Sequence, residues 1–249
     1  MALTKLAPAR EREGFGQIAE IKTEARQDGE AIEWAQKALA KSPNDAAAHA
    51  RLAERYVEMQ RAGDAILAYE KAIALDPRNS RTTEALAQLH IQAGQPSRAA
   101  ELYRGLLRVA TDDEIIERTG EAAIALEELT DSLGELEKVL SPLAFVMSHK
   151  PVYRRLLVGL YLRYVPTLAE RARWGTPEVA AAAQKELSRV SGQALRPLLE
   201  LLRSDGDPNE RRLAVTVLGF LGNRAAAAPL LAIAKGAPTS AGAARSTSG

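Results

Sequence analysis

The chain has 249 residues, 46% of them hydrophobic and 26% charged, and its 33 Lys and Arg against 32 Asp and Glu leave no net field to recruit nucleic acid or an anionic membrane. It contains no cysteine, which excludes a disulfide frame, a thiolate nucleophile and any Cys-ligated zinc or iron site. Aromatic residues make up only 4%, so any core is mostly aliphatic side chains and alanine.

Residues 1–11 read as an N-terminal extension. Leu3 and Leu6 are its only bulky apolar residues, too few for the apolar centre of a signal peptide. Nothing later reaches the roughly 18 uncharged apolar residues of a membrane span, so a cytoplasmic protein without membrane insertion is expected. Both ends look cut, and the chain is expected to be a piece of a longer protein.

From residue 12 the sequence repeats itself. A shift of 34 residues aligns Ile18 with Leu52 and Leu86, Ala19 with Ala53 and Ala87, and Ala31 with Ala65 and Ala99. Alanine columns alone are weak in an Ala-rich chain, but Gly29 and Gly63, Tyr69 and Tyr103, and Pro43 and Pro77 fall into the same register. Such self-similarity predicts an array of small stacked units at 12–45, 46–79 and 80–113. Within a unit the spacing is helical: Leu52, Tyr56 and Met59, then Ala65, Tyr69 and Ala72, recur every three or four residues. Small residues such as Ala53 and Ala65 allow two helices to approach closely, and Pro77 ends the second one. One hairpin cannot bury its apolar face alone, so neighbours must stack on it.

The set Leu52, Ala53, Tyr56, Ala65, Tyr69, Ala72 and Pro77 resembles the tetratricopeptide repeat (TPR) family. The unit at 46–79 matches that pattern throughout; 12–45 has Ala35 in an aromatic slot, and 80–113 has Thr111 in place of the proline. The resemblance implies an all-α, right-handed α-solenoid that acts as a non-catalytic scaffold or adaptor, holding a partner protein or peptide along a concave face lined by the first helix of each unit. The candidate partner-binding residues on that face are Glu13, Glu20 and Glu24, then Arg51, Glu54 and Glu58, then Arg81, Glu84, Gln88 and Gln92. Chaperone-binding members of the family place Asn, Lys and Arg there to clamp a terminal carboxylate. The Glu and Gln found here favour instead a segment bearing Lys or Arg.

Residues 114–148 read as a degenerate fourth hairpin, because Gly120 and Glu121 stand where the repeat needs Leu and Ala. A helical adaptor is expected over 149–190, with Val152, Leu156, Leu160 and Tyr164 on one stripe and with kinks or turns at Pro166 and Gly175-Thr176-Pro177. Residues 191–235 resemble a HEAT-type repeat and the start of the next. Asp207 is the expected cap of its second helix, with Pro208 at the first helical position. The small polar residues 236–249 are expected to be disordered.

No phosphate loop, nucleophile elbow or dinucleotide fingerprint is present, so neither catalysis nor a cofactor is expected. None of the three histidines, His49, His90 and His149, has a second ligand at metal-binding spacing. Charge is segregated nonetheless. Ten acidic residues between Asp112 and Glu137 face one base, Arg118, whereas Lys150, Arg154, Arg155, Arg163, Arg171 and Arg173 face only Glu170. These are expected to be solvated faces that partly pair with each other. With Trp174, Tyr153, Tyr161 and Tyr164 interleaved, the basic segment at 150–174 offers a weaker, nucleic-acid-binding alternative. A regulatory or lyase-like subunit with HEAT repeats is the other alternative.

Overall fold

In the computed structural model, residues 8–24, 27–146, 151–203 and 208–234 are described, and they form twelve α-helices with no strand. The chain divides into two compact units, 1–115 and 116–249.

The first unit holds α1 (Pro8–Glu24), α2 (Asp28–Lys41), α3 (Ala46–Glu58), α4 (Ala62–Leu75), α5 (Ser80–Gln92) and α6 (Pro96–Val109). Its helix boundaries keep the sequence period. Second helices begin at 28, 62 and 96 and end at 41, 75 and 109, each 34 residues apart. α1 starts at Pro8, ahead of the expected end of the extension at residue 11.

Local chemistry fixes these boundaries. Asp45 and Asn79 cap α3 and α5, accepting hydrogen bonds from the backbone N–H of Ala48 (2.9 Å) and Thr82 (3.1 Å). α3 and α5 are each followed by a left-handed residue, Gln60 at φ 57° and Gly94 at φ 70°, and the next residues, Arg61 and Gln95, close on the carbonyls of Tyr56 and His90, both at 2.8 Å. Leaving out the proline does not lengthen the third second-helix: α6 stops at Val109, and Asp112 accepts from the N–H of Ile115 at 3.0 Å.

Each hairpin closes on a small residue. Ala31, Ala65 and Ala99 all have 0% exposure, as do Ala53 and Ala87 on the facing helices. Larger side chains fill the space around these contacts: Ile32, Leu39, Leu52, Tyr56, Tyr69, Leu86 and Leu89 form one core cluster. α2 packs on α3 and α4 on α5, so the hairpins stack through their neighbours.

The second unit takes over within α7 (Asp113–Leu129) and continues through α8 (Leu133–Val146), α9 (Pro151–Trp174), α10 (Pro177–Arg203), α11 (Pro208–Leu221) and α12 (Arg224–Ala234). α9 is its core helix: the predicted stripe Val152, Leu156, Leu160 and Tyr164 is buried, and so are Tyr153, Leu157, Tyr161, Val165 and Leu168 around it. Gly120, out of place as a TPR residue, seats the Leu156 side chain; a Cβ there would stand 2.4 Å from Leu156 Cδ1.

α9 runs through Pro166 with no turn there, and α10 continues through 190/191, so the expected division between adaptor and HEAT-like unit falls inside one helix. The reason is an unbroken buried stripe, Ala183, Leu187, Val190, Ala194, Leu198 and Leu202, with no helix stop between its members. Only Gly175-Thr176 interrupts, where a Cβ on Gly175 would meet the Arg171 carbonyl at 2.6 Å. The expected cap Asp207 and the tail at 236–249 lie outside the described residues.

Replacing Ala65 by Leu is expected to overpack the middle hairpin and cost roughly 1–3 kcal/mol in chemical denaturation. An unchanged midpoint would show that α3 and α4 do not meet at this residue. Gln60→Gly should raise stability by about 1 kcal/mol, because it relieves a left-handed conformation that only glycine adopts freely. A lower midpoint would contradict the assigned turn.

Candidate partner-binding groove

A groove of about 520 Å3 opens between α1 and α3 over α2. Its floor is alanine: Ala31, Ala35 and Ala38 from α2, with Ala19 and Ala48 beside them. Its rim is charged. Glu13, Glu20 and Glu24 project from α1, Asp45 from the cap of α3, and Arg51, Glu54 and Arg55 from α3 itself. Helical spacing of seven and four residues along α1 puts the three glutamates on the side that faces the groove.

The structure therefore brings together Glu13, Glu20, Glu24, Arg51 and Glu54 from the sequence-derived set and leaves the others elsewhere. Glu58 pairs with Arg55 at 2.6 Å, and Arg81 reaches back to Glu54 at 3.2 Å. Glu84 is partly buried on α5, and Gln88 and Gln92 are exposed on the same helix, outside the groove. Sequence reasoning missed the alanine floor, although its signal was visible in the column that reads Ala35, Tyr69, Tyr103.

Rim charges are unequally committed. The Asp45 carboxylate accepts from the Ala48 N–H, Glu54 is paired with Arg81 and Arg55 with Glu58. Glu20 and Glu24 are exposed and form no ion pair among the described residues. One floor further along the array, burial and the nearby Glu54 carboxylate push the Tyr69 phenol up to about 12.

The basic segment presents itself differently from its sequence. Arg154 pairs with Glu200 (3.2 Å), Arg155 with Glu117 (3.0 Å), Arg163 with Glu128 (3.1 Å) and Arg171 with Asp131. Three of these arginines thus pair with the acidic run, and Arg154 pairs outside it. Tyr153, Tyr161 and Tyr164 are buried, leaving Trp174, 76% exposed with Arg173 stacked 4.9 Å from its ring centroid, as the segment's one aromatic at the surface. A stacking platform for bases needs exposed rings, so the nucleic-acid alternative loses its aromatic half. Lys150 lies outside the described residues.

Elsewhere, titratable groups concentrate where α8, α9 and α10 meet. The Tyr161 hydroxyl donates to the fully buried Glu137 at 2.9 Å, Arg189 reaches Glu137 at 2.8 Å and Glu186 at 2.6 Å, and the Tyr164 hydroxyl donates to Glu186 at 3.0 Å. Burial first, and then the adjoining carboxylates, push both phenols upward. These groups satisfy one another, so the cluster ties three helices together. Of the histidines, His90 is buried against Gln95 (3.0 Å) and His49 contacts the Pro43 carbonyl (2.9 Å), both packing roles; His149 lies outside the described residues.

Residues 56–118 match the tetratricopeptide repeat family, a stretch that begins just after the groove. Among solved structures the chain is similar to MamA (19% identity, TM-score 0.42, 51% of this chain and 73% of that one). It is also similar to PilF of Pseudomonas aeruginosa (17%, TM-score 0.40, 79% and 99%) and to YrrB, described as a TPR protein with an unusual peptide-binding site (12%, TM-score 0.41, 86% and 98%). No curated protein matches the sequence. No helix among the described residues is long and apolar enough to cross a membrane.

The Arg189 cluster carries a pH dependence. Its guanidinium holds the Glu186 carboxyl below the usual carboxylate range. A depressed folded-state pKa contributes stability above the unfolded value, about 4.3 for Glu, that is lost as pH falls through the folded one. Acid titration of the melting midpoint should therefore show a fall below about pH 4.3 that is shallower in Glu186→Gln. Identical acid slopes in the two proteins would contradict it.

Proposed function

We propose that the chain is a non-catalytic protein-interaction module, a scaffold or adaptor that holds a segment of a partner protein in the groove between α1 and α3. The single observation that supports this most strongly is the groove itself: an open, alanine-floored channel with an acidic rim, set in a stack of helix hairpins. A floor of small side chains lets another backbone approach closely, and helix pairs of this kind commonly present such channels to extended or helical segments. The TPR match at 56–118 and the repeat register that extends it back to residue 12 support the same reading.

The rim sets the preference. Five acidic side chains against Arg51 and Arg55 favour a segment bearing Lys or Arg, and this complementarity acts more on encounter rate than on final affinity. The first hairpin, together with α3, is the binding end, and the module works in the cytoplasm. The HEAT-type reading of 191–235 rests on sequence pattern alone, and α10 to α12 enter this proposal only as helical structure.

A photo-crosslinking residue placed at Gln17, in the groove, is expected to capture a partner that the same residue at exposed Arg108 does not. The double reversal Glu20→Lys/Glu24→Lys should abolish that capture and leave the helical circular dichroism spectrum unchanged. Equal capture from both positions, or capture that survives the reversal, would contradict the groove as the site.

A further inference from the structure

Two aromatic rings fill the middle unit between its helices: Tyr56 from α3 and Tyr69 from α4, both buried in the core cluster. Thirty-four residues earlier, the first unit has Lys22 and Ala35 at these places. Lys22 does not fill the space it inherits; its ammonium turns to Gln27 (2.9 Å) and Glu30 (2.9 Å), and it takes no part in lining the groove. Ala35 stops at Cβ on the groove floor. Tyr103 occupies the equivalent place in the third unit, so the first is the exception among the three.

The first unit's own rings do not compensate. Phe15 and Trp34 pack on each other at 5.5 Å between centroids, with the Lys37 ammonium 4.1 Å from the Trp34 centroid, and neither ring lines the groove. An open volume thus stands where the repeat elsewhere holds a tyrosine.

Resting on the reading that the groove takes a partner segment, we infer that its occupant is a peptide segment that seats an aromatic side chain over Ala35 and sets a Lys or Arg beside Glu20 and Glu24. The ring replaces the aromatic side chain that the first repeat lacks, over the floor made by Ala31, Ala35 and Ala38. The cation follows from the rim. Glu20 is the 34-residue counterpart of Glu54, which lies close enough to Tyr69 to act on its phenol, so a ring at Ala35 has a carboxylate for neighbour. Unlike Glu54, which Arg81 occupies, Glu20 forms no ion pair among the described residues. Buried aromatic anchors flanked by charge supply most of the energy of such contacts.

The probe is a random dodecapeptide display library selected on the native protein, with the best peptide then titrated against variants. Selected sequences should share Trp, Tyr or Phe within a few positions of Lys or Arg. Ala35→Tyr, which refills the slot from within, should weaken the best peptide at least about tenfold while melting no lower than the native protein. Should Ala35→Tyr melt lower, the peptide supplies the same test: exchanging its aromatic residue for Ala must weaken binding to the native protein by at least about tenfold. Basic peptides without an aromatic residue, lost on Glu20→Lys/Glu24→Lys but indifferent to Ala35→Tyr, would overturn the aromatic seat and leave the groove standing. A library that yields no peptide, or peptides indifferent to both variants, would overturn the seat and the groove together.

Discussion

Everything in the first unit depends on how closely the two helices of a hairpin approach, and that distance is set by alanine. Ala31, Ala65 and Ala99 have no exposed surface, and neither do Ala53 and Ala87 on the first helices. Because the approach is set by a missing side chain, the filling must come from large residues one turn away, such as Leu52, Tyr56 and Tyr69. Tight contact at the small position and bulk at the large one together keep the helices in one register. The groove follows from the same rule broken once: in the first repeat the small residue is kept, and Lys22 and Ala35 stand where the next repeat has its two tyrosines.

The second unit is held differently. Its central helix α9 is buried on nearly all sides, and charged groups tie the helices around it, with Glu137 fully enclosed between the Tyr161 hydroxyl and Arg189. A buried carboxylate is costly unless its acceptors are met, and here both partners are supplied from other helices. Such a cluster specifies how α8, α9 and α10 meet more than it adds net stability. The ion pairs from α9 to Glu117, Glu128 and Asp131 are exposed and contribute little each, yet they absorb the charge segregation that gives this part of the sequence the look of a nucleic-acid surface.

Much of the helical architecture was legible in the sequence, because a repeat states its rule several times. The 34-residue columns located the hairpins, and the observed boundaries keep that period. Legibility faded where the period stopped. Pro166 marked an expected kink or turn, but a proline's local cost is outweighed when an apolar stripe continues past it on both sides. Gly120 looked like a defect in the repeat until Leu156, far along the chain, was seen to occupy the space over it. At the groove, the α1 glutamates were readable from spacing alone. Its alanine floor was signalled only at Ala35, which stands in the column that holds tyrosine in the next two repeats; Ala31 and Ala38 repeat as alanine in the next repeat and carry no such signal. Glu58 and Arg81 were assigned to the same face by period, but each spends its charge on a neighbour in the array.

The central claim is that the first unit leaves open a place the other units fill from within, and that a partner fills it from outside. A crystal structure of the chain with a peptide selected on it tests this most directly. The account predicts an aromatic ring over Ala35 between α1 and α3, with a Lys or Arg of the peptide at Glu20 or Glu24. A peptide seated on any other face, or lying in the groove with Ala35 uncovered, would contradict it.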